Sequence, residues 1–151
     1  MTALKSALKI GLIACGVTSF AGIAGAGEDP IETRQQVMST VGAATKAAGD
    51  MVQGKTEFNA VTAELAMRAL ASSAAAFPHY FPGGSETGGE TEALPVIWEK
   101  KAEFDAISLR MEVAAVAGIP AAKEGFDAFR ASFGPVVQTC KACHETFRQA
   151  N

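Results

Sequence analysis

From Ile31 almost to the end of the chain, apolar residues recur at steps of three and four, and one stretch alone, residues 77–95, breaks that rhythm. Steps of this kind stack apolar side chains on one side of a helix with 3.6 residues per turn, so the chain reads as all-α. Asp29-Pro30-Ile31-Glu32 opens the first helix with a capping side chain, a proline at the first helical position and an acid three residues after the cap. Ile31, Val37, Met38, Val41, Ala44, Ala48, Met51 and Val52 form its inward stripe, which ends near Gly54. Asn59 is the expected cap of a second helix, with Phe58, Val61, Leu65 and Ala69 on its buried face and an end near Ala76.

Three prolines and four glycines then interrupt the period over residues 77–95, the one long connection, and a loop of that length in a compact domain usually carries function or is disordered. The third helix is predicted after Pro95, with Ile97, Phe104, Ile107, Met111 and Ala114 inward, and with a stop at Gly118-Ile119-Pro120. The fourth runs from about Ala121 to Gln149 and turns Phe126, Phe129, Phe133, Val136, Val137, Cys140, Cys143, His144 and Phe147 inward; Pro135 predicts a kink or a restart within it. Two short connections and one long one give an antiparallel, up-down-up-down four-helix bundle.

With 151 residues, 48% of them hydrophobic, the chain supports one domain with a real core. Residues 1–26 are expected to stand apart from it. Lys5 and Lys9 without an acid, an apolar run and Ala24-Gly25-Ala26 read as a secretory signal peptide cleaved near Ala26, leaving a domain of residues 27–151 in the periplasm. Two rival readings of the segment are a retained anchor, for which the run is short and glycine-rich, and a lipobox at Leu12-Ile13-Ala14-Cys15 that would lipidate Cys15. The net formal charge is −3 without a basic run, which sets nucleic acid aside.

The segment "TCKACHETFR" places two of the three cysteines and one of the two histidines within five positions. At i, i+3 and i+4 the side chains of Cys140, Cys143 and His144 leave one side of a helix and can meet one flat object lying along it. C-x-x-C-H is the attachment signature of c-type haem, with two thioethers to the porphyrin edge and an imidazole to the iron. The chain is thus expected to carry one covalent haem c. A redox-active thiol pair would want a helix N-terminus, a zinc site lacks a nearby fourth ligand with only His79 left, and a plain disulfide leaves the adjacent histidine without a purpose.

"RQQVM" early in the first helix, a "PGG…GGE…P-x-I-W" connection and "CKACHETFR" near the C-terminus resemble the cytochrome c′ (class II cytochrome c) family over essentially all of the mature chain. The resemblance implies Cys140 and Cys143 as attachment residues and His144 as the proximal iron ligand. It also implies Arg34 near a haem propionate with Gln35 beside it, Met38 facing the distal side of the iron, and Glu92 approaching the haem edge. From the residues alone, Arg34 reads equally as a solvated helix residue and Met38 as ordinary core. Arg148, one turn after His144, is expected near the proximal face, and His79 at the loop surface. The function expected is electron transfer by a single periplasmic haem working with redox partner proteins. The alternative is a high-spin, five-coordinate haem that binds nitric oxide or carbon monoxide. Neither a nucleophile–base pair nor a carboxylate pair suggests an enzyme. The family often pairs through its first two helices, and small residues over 43–51 suit a homodimer formed that way.

Overall fold

The computed structural model describes residues 29–150; the expected signal peptide, with Cys15, lies outside the described residues. Local capping sets the first two helices. Asp29 Oδ1 accepts a hydrogen bond from Ile31 N at 2.9 Å and starts α1 (Pro30–Val52), and Asn59 Oδ1 accepts one from Thr62 N at 2.9 Å and starts α2 (Ala60–Ala76). A 3-10 turn (Phe77–Tyr80) follows, then an irregular loop, a one-turn helix α3 (Val96–Glu99), α4 (Lys101–Glu124) and α5 (Phe126–Phe147). The four long helices form the antiparallel bundle: α2 packs on α1 and α4, α4 packs on α5, and α1 touches α5 only lightly.

Three expectations about the elements need correcting. Gly118-Ile119-Pro120 does not end a helix; α4 runs through it to Glu124, and the break falls at Gly125, whose φ of +115° favours glycine. Gly118 instead lets two helices approach, since a Cβ there would lie 2.8 Å from Met67 Sδ. Pro120 and Pro135 are both exposed within continuous helices. The carbonyls they leave unpaired belong to Val116 and Ala131, which are also exposed, so water can satisfy them and no restart is required. The third error concerns inward faces: Val137 on α5 is 43% exposed, and the buried face of α2 is not the one expected. Val61 and Leu65 are 66% and 61% exposed, while Ala63, Ala66, Met67, Leu70 and Ala74 face the core. In a helix this rich in alanine, apolar residues surround the axis and the stripe of larger side chains misleads.

Buried side chains fall into two clusters. One, containing Ala48, Ala63, Met67, Leu70, Ala115, Ala122, Phe129 and Val136, fills the bundle towards the turns near Gly54 and Gly125. The other, Phe81, Ile97, Phe104, Ile107 and Phe147, lies where the long loop meets α4 and the end of α5.

Candidate functional site

At the loop end of the bundle the helices do not close on each other. They enclose a cavity of about 640 Å³, inside the range of roughly 300–1,000 Å³ usual for ligand and cofactor pockets. Met38 and Val41 line it from α1, Ile107 and Met111 from α4, Glu90 and Glu92 from the loop, and Cys140, Cys143 and His144 from α5.

The α5 trio is brought together as its spacing demands. Cys140 and Cys143 are half-buried and not disulfide-bonded. Burial pushes the Cys140 thiol up; burial, with Cys140 adding to it, pushes Cys143 up to about 11. Thiols held protonated at neutral pH, in the last two turns of a helix, are the opposite of a low-pKa redox pair. His144 is open to solvent on one side and partly covered in the cavity wall. That burial lowers its pKa, the Arg148 cation lowers it further, and Glu92 opposes both. The outcome favours neutral imidazole, the form that ligates a metal. Among the described residues no group of three or more His, Cys, Asp or Glu could hold a metal ion by itself. The protein thus offers one imidazole and two thiols on one wall, a donor set that suits a metal arriving inside a macrocycle.

Arg34 is not a solvated helix residue. It is 4% exposed, its guanidinium lies 4.7 Å from the Phe81 ring and 5.5 Å from the Trp98 ring, and its Nη1 and Nη2 donate to Ser85 Oγ at 3.2 Å and Ser85 O at 2.9 Å. Burial lowers its pKa, with Asp29 and Glu86 opposing. Its Nε is buried without a partner, on a residue that lines the cavity. An orphaned donor on a buried cation suits an anionic edge group, because the cost of leaving it unpaired is recovered when an acceptor arrives. Gln35 is exposed and donates from Nε2 to Glu90 O at 2.8 Å, so it ties α1 to the loop. Met38 is half-buried on the cavity wall.

Glu92 lines the cavity, and its Oε2 lies 3.9 Å from Arg148 Nε. The loop here pairs with the end of α5: Leu94 N donates to Phe147 O at 3.0 Å and Gln149 N to Glu92 O at 2.8 Å, around an isolated bridge between Ala93 and Arg148. His79 is exposed on the 3-10 turn, outside the cavity lining. The sequence reading did not anticipate Ser85, Phe81 and Trp98 as the seat of Arg34, nor the pairing of loop and tail. Both join residues more than forty positions apart, where periodicity carries no signal.

The family model described as Cytochrome C′ matches residues 29–148, from the cap of α1 to the residue just after α5. The chain belongs to the cytochrome c′ family. It is 36% identical over 141 residues to cytochrome c′ of Rhodopseudomonas palustris, covering 93% of this chain and 96% of that one. A solved structure of cytochrome c′ from Rhodopseudomonas palustris superposes with a TM-score of 0.76 at 33% identity, over 82% of this chain and 98% of the other. A nitric oxide complex of a variant cytochrome c′ from Alcaligenes xylosoxidans superposes with a TM-score of 0.72 at 28% identity, over 82% and 96% of the two chains. Haem c, attached through Cys140 and Cys143, is the cofactor that this family and this cysteine pair share.

Proposed function

We propose that the protein is a periplasmic single-haem electron carrier in which His144 is the proximal ligand and Met38 faces the iron from the distal side. One observation carries the reading: a thioether on α1 and an imidazole on α5 line the same cavity, and Met/His is the ligand pair that raises the potential of electron-carrying cytochromes. The iron supplies reversible one-electron chemistry when bound. The chain's own part is to hold the macrocycle edge through Cys140 and Cys143, to meet a propionate with Arg34, and to exclude water with Phe81, Phe104 and Phe147. Gln35 fixes the loop beside that edge, and Glu92 stands at it. We assign no substrate turnover to the site, and take the partners to be redox proteins.

Residues 1–26 are proposed as the export signal and 27–151 as the mature domain. No described helix is long and apolar enough to cross a membrane. A homodimer through α1 and α2 is proposed as well. The support is a shallow groove between them lined by small residues such as Ala43, Ala47 and Ala69 and flanked by the exposed Leu65. Ala48 and Met51 are already buried within the chain and do not line that surface, whereas Ala44, 9% exposed, does. A monomer mass by light scattering at micromolar concentration would reject the dimer.

A second reading, a high-spin five-coordinate haem that binds nitric oxide or carbon monoxide, is favoured by the apolar residues that line the cavity along with Met38, among them Val41, Ala74 and Met111. The nitric oxide complex of the Alcaligenes xylosoxidans relative supports it too. The optical spectrum of the isolated protein separates the two. Low-spin bands in both redox states, unmoved by carbon monoxide, support the carrier; high-spin bands that shift on adding carbon monoxide support the gas binder.

A further inference from the structure

Among the ion pairs of the described residues, Glu92–Arg148 is the one with both partners on the cavity wall. Most of the others join residues one turn apart on a single helix, as Arg68 joins Glu64 and Lys141 joins Glu145. This one crosses from the loop to the residue just after α5, one turn past His144, and the backbone beneath it is fixed. Gln149 N holds Glu92 O, Leu94 N holds Phe147 O, and Arg148 N donates to His144 O at 3.3 Å. The backbone positions of both partners are thus set by main-chain pairing rather than by the ion pair itself.

We infer that Glu92 is a positioning residue for the haem: its carboxylate holds the Arg148 guanidinium beside His144 and offsets that cation's effect on the iron's redox equilibrium. The inference rests on His144 being the axial ligand. Its sign follows from charge. Oxidation adds one positive charge at the iron, so a nearby carboxylate favours the oxidised form and a nearby guanidinium the reduced form. Paired, the two charges largely cancel; separated, each acts alone. The side chains of Arg148 and Glu92 are 42% and 53% exposed, so solvent and salt screen both and the effects stay modest.

The test is the midpoint potential of the full-length holoprotein, measured by spectroelectrochemistry at low and high salt. Glu92→Gln should raise the potential and Arg148→Gln should lower it, each shifting the redox equilibrium constant by several-fold and by at most about tenfold, which is 59 mV for one electron. The double variant should return close to the wild-type value, Glu92→Asp should retain it, and the single shifts should shrink in about 1 M salt. Single variants that leave the potential unmoved, or that move it in the same direction, would overturn the inference. Amide hydrogen exchange at Leu94 and Gln149 should be unchanged in Glu92→Gln; lost protection there would overturn it by showing a structural effect. His144→Ala tests the underlying reading separately. If its spectrum matches wild type, the axial assignment falls, whatever the Glu92 and Arg148 variants do.

Discussion

The two ends of the bundle use the same four helices to opposite effect. Towards Gly54 and Gly125 the contact positions are largely alanine, with Ala48, Ala63, Ala115 and Ala122 fully buried, and the helices come close enough for Met67, Phe129 and Val136 to fill what remains. Towards the loop the buried side chains are rings and branched residues, packed edge to face. Phe81 and Phe104 lie 4.7 Å apart between centroids, and Phe104 and Phe147 5.4 Å apart, all on the cavity wall. Side-chain size at the contact sets how near two helices lie. One end is therefore closed by its own side chains. The other is propped open by aromatic walls and a hydrogen-bonded loop around the cavity.

The largest test of that contrast is to withhold the cofactor. Changing both Cys140 and Cys143 to Ala should reduce haem retained after acidified acetone extraction from nearly all to background. It should also expose the loop end to amide exchange while Met67, Leu70 and Phe129 stay protected. A cavity of this size left without its contents costs several kcal/mol. Uniform loss of protection at both ends would break the comparison.

Phe129→Ala strikes the closed end, where the ring is fully buried and stacked 5.9 Å from Phe133. It should remove about 3–5 kcal/mol of stability in denaturant unfolding and leave the haem spectrum unchanged. A shifted spectrum would mean that the two ends are coupled. Arg34→Ala strikes the open end and should cost less, about 1–3 kcal/mol for the hydrogen bonds to Ser85. Its signature is faster limited proteolysis within residues 81–95, and a loop as resistant as wild type would show that Arg34 does not anchor it. The smallest effect is expected for Asn59→Ala, which deletes the cap of α2 and should lower stability by about 1 kcal/mol with no change in haem retention.

What was legible in the sequence was local. The caps Asp29 and Asn59, the proline-glycine loop and the trio of Cys140, Cys143 and His144 each depend on neighbours within four positions, and each stands where the sequence put it. Gly118 and Pro120 were misread because a glycine before a proline imitates a helix end, whereas its reason for being small is Met67 on another helix. The inward face of α2 was misread because alanine gives little contrast between inside and outside. For Arg34 the burial came from Phe81, Trp98 and Ser85, a seat assembled from the loop and α3 that no helical period encodes.

The clasp between the loop and the residues after α5 also bears on how the chain is made. Synthesis runs from the N-terminus, so α1, α2, Phe81, Phe104 and Arg34 emerge before Cys140, Cys143 and His144, and Gln149, which fastens Glu92, follows them. Until then Phe81 and Phe104 lack Phe147 as a neighbour and remain an adhesive surface. The attachment residues thus follow the residues of the other walls, and Gln149 comes after them as the latch. Timing is written into the order of the residues as firmly as shape is.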